Sequence, residues 1–416
     1  MIEFLKRNSE YVTLNVLLLI YLFFVLKDFP IPLSKETLLF ASDAQEYMAT
    51  GQSFFDDSVQ GSLVTRPFLF PLLLIVITSI GGYKLWFIFQ LFLWLSSVNL
   101  LFNSMKKLRI PLILNYLGIL LFCLNFSIIA LIYHGLNEVI IIFLVSCLIC
   151  LVASNYHCFF SLKVLQKLLF LLVVLTLVKP LFLLPMMAML VLIILMYFRM
   201  YFRSPKQLLV LLLIFSPILV QMSLVNSVEG KFTFSEISTK TYNRYIFTQL
   251  YQKNHTCDRP KALEAIEGMS SDEISSISKK HKQELFALFQ ENLELNLSGR
   301  PVFLELNRTK ENKFFVSLMK EHIQLFSNLF YFGFAWVVLF FIHLIYKKRF
   351  IELSGILFIG VLMYYIYVSS GISGLQGDRL VIVALPLAIV FYLYVINYYV
   401  VEIKNVIEKT RAAIRK

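Results

Sequence analysis

Between the first apolar run of the chain and the next lies a polar stretch, Ser42-Asp43-Ala44-Gln45-Glu46-Tyr47, followed by Thr65-Arg66-Pro67-Phe68-Leu69-Phe70-Pro71. A carboxylate placed there can take a proton from an acceptor hydroxyl or amine, and a second can orient the acceptor or help hold a divalent cation. An arginine near an interface can clamp a phosphate and stabilise the charge that grows on it as it leaves. Asp43 and Tyr47 are four residues apart, so on a helix they share one face. Other polar groups interrupt apolar sequence further on: His134, Asn137 and Glu138, then Lys179, then Gln376, Asp378 and Arg379. A charge at membrane depth costs about 2.5–3.5 kcal/mol on insertion scales, which favours pairing or a function. One such residue alone reads as an interfacial anchor. Acids and bases from four separate segments at one depth read as a site.

The elements that carry these residues follow from composition. With 58% of its residues hydrophobic and 15% charged, the chain has lipid as its main solvent. Backbone in lipid must satisfy its hydrogen bonds internally, and continuous rather than alternating apolar runs select helices over a barrel. The sequence thus predicts an all-α polytopic membrane protein. The net charge of +12 does not point to nucleic acid, because it is gathered beside the apolar runs. Lys106, Lys107 and Arg109, then Arg199, Arg203 and Lys206, then Lys347, Lys348 and Arg349, and a tail from Lys404 to Lys416, match cytoplasmic flanks facing membrane lipids. The five cysteines form neither a disulfide framework nor a metal-ligand pattern.

Lys6 and Arg7 precede the run from Tyr11 to Leu26, which lacks a cleavage site and reads as a retained span. The N-terminus is then cytoplasmic and the Asp43 loop external. The run from Pro67 to Gly82 is short for a crossing, which needs about 20 residues. Read as re-entrant or interfacial, it sorts the basic patches to the inside. Spans are expected near 84–105, 111–131, 138–155, 166–179, 180–198, 207–225, 325–346, 351–369 and 380–401. With the first they make about ten transmembrane helices. Three regions result: an N-terminal transmembrane region, 1–225, with a catalytic first outer loop at 27–83; an outer amphipathic helical loop region, 226–324; and C-terminal transmembrane helices with a basic cytoplasmic tail, 325–416. In the outer region Ser271-Asp272-Glu273 signals a helix start, Ile274, Ile277, Leu285, Leu288, Phe289 and Leu293 recur at helical steps, and Gly299-Arg300-Pro301 stops the pattern. Glycosylation-type triplets begin at Asn254, Asn296 and Asn307.

The order of these pieces resembles the glycosyltransferase C superfamily, and within it bacterial relatives of protein O-mannosyltransferases and aminoarabinose transferases. The resemblance rests on Asp-x-x-x-Tyr at Asp43 and Tyr47, Arg66 with Pro67 and Pro71, His134-Gly135-Leu136-Asn137-Glu138, Val178-Lys179-Pro180, and Asp378-Arg379 before Leu385-Pro386. Each piece is short, and the specificity lies in their order and spacing across most of the chain. The resemblance implies a sugar carried on a polyprenyl phosphate and moved, with inversion, to an acceptor at the outer face of the plasma (inner) membrane. It implies Asp43 as catalytic base, Glu138 as the second acidic site and Arg66 at the lipid phosphate. Tyr47, His134, Lys179 and Arg379 are the further candidates for substrate contact. Asp43 and Glu138 are the candidate ligands if a divalent cation is used. The chain departs from the family in having Asp-Ala at the first motif, Glu at the second site, and no large soluble domain after the last span. A transporter or flippase of a lipid-linked sugar, which would need no carboxylate in the first loop, and an O-antigen polymerase or ligase are the alternatives.

Overall fold

The structure, a computed structural model, describes residues 9–28, 34–298, 333–374 and 377–414. Its helices run in chain order as α1 (Ser9–Asp28), α2 (Lys35–Leu38), α3 (Ser42–Gln52), α4 (Leu69–Lys107), α5 (Leu112–Cys123), α6 (Phe126–Leu131), α7 (Glu138–Ser154), α8 (Leu162–Val178), α9 (Leu183–Arg203) and α10 (Pro205–Glu229). An outer group follows: α11 (Ile237–Tyr242), α12 (Thr248–His255), α13 (Arg259–Glu267), α14 (Ser271–Lys280) and α15 (Lys282–Ser298). The chain closes with α16 (Gly333–Tyr346), α17 (Phe350–Ser370) and α18 (Leu385–Ile414).

No strand occurs among the described residues, as the continuous apolar runs require. Six helices there are long and apolar enough to cross a membrane, within Ser9–Leu26, Leu69–Lys107, Pro180–Tyr201, Pro205–Glu229, Leu353–Ser370 and Ile382–Ala412. α5, α7 and α16 are apolar but shorter. The protein is therefore an all-α, membrane-embedded bundle. Its core is lined by α4, α7, α8, α17 and α18, and α7 is buried along much of its length. The apolar run expected at 111–131 is broken at Leu124-Asn125, where the Asn125 side chain caps α6 by accepting from the Ile128 amide.

The run from 67 to 82 is the first arm of α4. Gly81 and Gly82 interrupt the helix, and Gly82 has φ 63° and ψ −163°, a region open in practice only to glycine. An unbroken helix would hold residues 70 and 86 about 24 Å apart. The Phe70 and Trp86 rings instead meet edge to face at 5.9 Å. The chain therefore folds sharply back at the glycines. The first arm is only about 18 Å long at 1.5 Å per residue. The fold-back brings Phe70 against Tyr47 of α3, ring centroids 4.6 Å apart.

The bundle has two chemically distinct ends. The basic patches collect at one. Lys106 pairs with Glu10, Lys107 donates to Ser154 Oγ at 2.7 Å, Asn397 donates to the Arg109 carbonyl, and Gln166 links to Tyr201 and Gln207. Glu138 and Ser154 bound α7, so its opposite end lies about 24 Å away. There the acids of the first loop are found.

The outer helices form a small core of their own, from Phe247, Leu250, Ile266, Ile274 and Leu288. The start signal falls one residue earlier than expected: Ser270 and Glu273 make a reciprocal capping box at α14. The helical repeat is split at His281, so Ile274 and Leu288 serve the outer core while Leu293 packs on the main bundle. Asn296 is completely buried, which closes its triplet to glycosylation in the folded protein, whereas Asn254 is exposed. Asn307, Gly299-Arg300-Pro301 and Gln376 lie outside the described residues.

Candidate functional site

α3 supplies the first half of the site. Asp43, Glu46 and Tyr47 are spaced i, i+3, i+4, which aligns them on one face. All three meet Arg66: Nη2 lies 2.6 Å from Asp43 Oδ1, Nε donates to Glu46 Oε2 at 2.9 Å, and Nη1 donates to Tyr47 Oη at 3.3 Å. The guanidinium also lies 4.6 Å from the centre of the Tyr47 ring, within cation–π range.

Arg66 can do this because its loop is tied down on both sides. The Ser62 amide donates to Thr50 Oγ1 of α3 at 3.1 Å, and Gly61 approaches α3 so closely that a Cβ would sit 2.3 Å from Ser53 Oγ. From the other side, Gln221, buried in α10, donates to the Leu63 carbonyl and accepts from the Phe68 amide, both at 3.0 Å. The Glu236 amide donates to the Val64 carbonyl at 2.9 Å.

The second half comes from three distant segments. Arg379, in the one-turn 3₁₀ helix Gly377–Leu380, places Nη1 2.7 Å from Asp43 Oδ2 and donates from Nε to Glu138 Oε1 at 2.8 Å. Lys179 stands after α8 and before Pro180, which holds it extended, and its Nζ lies 3.5 Å from Glu138 Oε1. Asn137 ties the halves together by donating to Tyr47 Oη at 2.8 Å and to the Val178 carbonyl at 2.9 Å.

The result is one continuous chain of opposite charges, Glu46–Arg66–Asp43–Arg379–Glu138–Lys179. Three acids and three bases leave it formally neutral. It runs inward from solvent: the Asp43 side chain is 28% exposed and that of Glu138 is 0% exposed. Burial alone would raise the Asp43 carboxyl, but the Arg379 and Arg66 guanidiniums outweigh it and hold the group well below the usual carboxylate range. Burial pushes the Tyr47 hydroxyl up to about 12, so it stays neutral at pH 7, where its oxygen accepts from Arg66 and Asn137.

The structure thus brings together Asp43, Tyr47, Arg66, Glu138, Lys179 and Arg379, all anticipated from sequence, and adds two groups to their contacts. Glu46 shares Arg66 with Asp43, and its i+3 spacing from Asp43 was the available signal. Asn137 is the bridge, signalled only by its place beside Glu138. His134 is adjacent but outside the ion-pair chain. Its Nδ1 bonds the Thr37 carbonyl at 2.8 Å, so that nitrogen carries the proton. Burial lowers its pKa, leaving a neutral ring. The turn around it is pinned by Trp86, which donates to the His134 carbonyl, and by Gln90, which donates to the Leu136 carbonyl. His134 therefore helps to frame the site. No direct role with substrate is visible for its ring.

The pairing of Asp43 with Glu138 as ligands of a divalent cation does not fit this arrangement. The Arg379 guanidinium stands between the two carboxylates and pairs with both, and Arg66 and Lys179 pair with them from the far sides. No cluster of three or more His, Cys, Asp or Glu suited to a metal occurs among the described residues. Comparison with protein-family models, with curated proteins and with solved structures finds no match.

Proposed function

We propose that the chain is a membrane glycosyltransferase that moves a sugar from a polyprenyl-phosphate donor to an acceptor on the outer face of the plasma (inner) membrane. In this reading about ten helices cross, both termini are cytoplasmic, and the charged end of the bundle faces the periplasm or exterior. The observation that carries it is Asp43: a partly exposed carboxylate clamped between two arginines at the outer end of a buried ion-pair chain. The two guanidiniums that hold it are the kind of donor that binds phosphate oxygens bidentately.

The donor is a phosphodiester, and its anion competes with Asp43 for Arg66 and Arg379. Arginine binds phosphate oxygens bidentately, so the exchange is geometrically matched. Once the guanidiniums turn to the phosphate, the Asp43 carboxylate regains basicity and removes the proton of the acceptor hydroxyl. The acceptor oxygen attacks the anomeric carbon from the face opposite the leaving group. The carbon–oxygen bond to phosphate breaks, and its electron pair leaves on the phosphate. Charge on that phosphate rises from about one to about two, and the arginines stabilise the increase. Glu138 and Lys179 hold Arg379 from the buried side.

Two experiments test this. Purified protein in liposomes, given a radiolabelled polyprenyl-phosphate sugar and membrane acceptor extract, is expected to release polyprenyl phosphate as label moves to the acceptor. Movement of the intact lipid-linked sugar without its cleavage would favour a transporter. For sidedness, Gln45 and Arg109 are both exposed at opposite ends of the bundle. In a cysteine-free background, Gln45→Cys should react with an impermeant thiol reagent in intact cells and Arg109→Cys should not. The reverse pattern would invert the topology.

A further inference from the structure

A second polar cluster lies where α15 meets the turn after α17. Phe289, Asn292 and Asn296 are separated by three and four residues, so one face of α15 presents all three. Both asparagines are buried. Asn296 Nδ2 donates to the Ser370 carbonyl at 2.9 Å and the Ser373 carbonyl at 2.5 Å, across the turn in which the Ser373 amide also donates to the Ser370 carbonyl. Asn292 and Gln249 of α12 exchange two hydrogen bonds, at 3.0 and 3.1 Å. Gly374 lies against that pair so closely that a Cβ would come 2.5 Å from Asn292 Oδ1. Gly371 meets the Phe289 ring in the same way, at 2.7 Å. α15 also packs directly on the 3₁₀ turn Gly377–Leu380 that carries Arg379.

Buried amides cost free energy unless their hydrogen bonds are made, and an apolar face would dock a helix without that cost. What the amides add is register, because two carbonyls and two glycines accept them in one position only. We propose that Asn296, supported by Asn292 and Gln249, is a positioning residue that sets where Arg379 stands relative to Asp43 and Glu138. The outer helices thereby become part of the site's geometry rather than a cover over it. For its catalytic consequence the proposal rests on the glycosyltransferase reading; for its structural content it does not.

The test is a double-mutant cycle on the purified full-length protein, with Asn296→Ala and Arg379→Lys read by thermal unfolding. If Asn296 acts through Arg379, the losses in Tm are non-additive, and the double variant falls little below the worse single one. The pH dependence gives a second readout. Asp43 faces Arg66, Arg379, Tyr47 and Glu46, with Glu138 beyond Arg379, and its carboxyl is held low by the two arginines. A carboxylate held low contributes stability above about pH 4, and loses it as pH falls through the folded-state value. The Tm deficit of Asn296→Ala should therefore be full at pH 7 and shrink below about pH 4, as that of Arg379→Lys does. Gly374→Ala, which pushes on Asn292, should behave likewise and serves if Asn296→Ala fails to fold. In sugar transfer, displacement of Arg379 by about 1 Å predicts a kcat/KM roughly 100-fold lower. Additive losses with a deficit independent of pH would overturn the positioning role. Absence of transfer by the wild-type protein would overturn the function reading instead, and leave the cycle to decide the positioning.

Discussion

The two ends of the bundle use charge in opposite ways. At the basic end Lys106 meets Glu10 and Arg349 meets Glu402, with the lysine 37% and the arginine 44% exposed. Pairs so exposed contribute about 0–1 kcal/mol and are screened by salt. At the other end Asp43, Arg66, Arg379 and Glu138 each have two charged partners, and Glu138 is fully enclosed. Where water screens charge, a pair adds little to stability. Where water is excluded, charge fixes geometry at a desolvation cost that apolar packing would not incur. That cost is the mark of a site, since perturbed and interlocked ionisable groups gather where chemistry or binding needs them.

Substitutions at the two ends should separate accordingly. Arg379→Leu leaves Glu138 and Asp43 facing one another without their shared cation, and breaking a buried pair costs about 3–5 kcal/mol. Denaturation of the purified variant should show a loss in that range; a loss near zero would erase the distinction between the ends. Gly82→Ala puts a side chain on a backbone at φ 63° and ψ −163°, with strain of about 1–3 kcal/mol. Because the fold-back holds Phe70 against Tyr47, activity should fall along with stability. Unchanged stability and activity would mean that the fold-back does not support the site. Smallest of all, Lys106→Ala at the basic end should shift stability by about 1 kcal/mol or less. A larger effect would show that this end, too, depends on its ion pairs.

A pH profile sharpens the contrast further. In the free protein the Asp43 carboxyl lies well below the usual range, so the acid limb of kcat/KM should fall below about pH 4. With the lipid phosphate on the arginines, the acid limb of kcat should lie at higher pH. Coincident limbs would mean that the guanidiniums never leave Asp43.

Much of this was legible in the residues. The apolar runs announced helices, the basic patches announced the quiet end, and the four-residue step from Asp43 to Tyr47 announced one helical face. The Pro67–Gly82 run stood out as short for a crossing, and Gly81-Gly82 is where its helix is interrupted. The links between segments were not legible. Arg379 meets Glu138 across 241 residues of chain, and no local pattern encodes such a pairing. Gln221 bonds loop residues 153 and 158 positions away, and its only signal was an amide inside an apolar run. The guanidinium that stands between Asp43 and Glu138 was hidden for the same reason.

The central claim is that Asp43 serves as base once a lipid phosphate has drawn its arginines away. It is tested most directly by Asp43→Asn, which keeps shape while removing proton-accepting capacity. Transfer from a radiolabelled short-chain polyprenyl-phosphate sugar should fall about 100–10,000-fold, the usual contribution of a general base. Binding of polyprenyl phosphate should persist or tighten, because the amide no longer competes as an anion for Arg66 and Arg379. Near-wild-type transfer by the Asn variant would contradict the account.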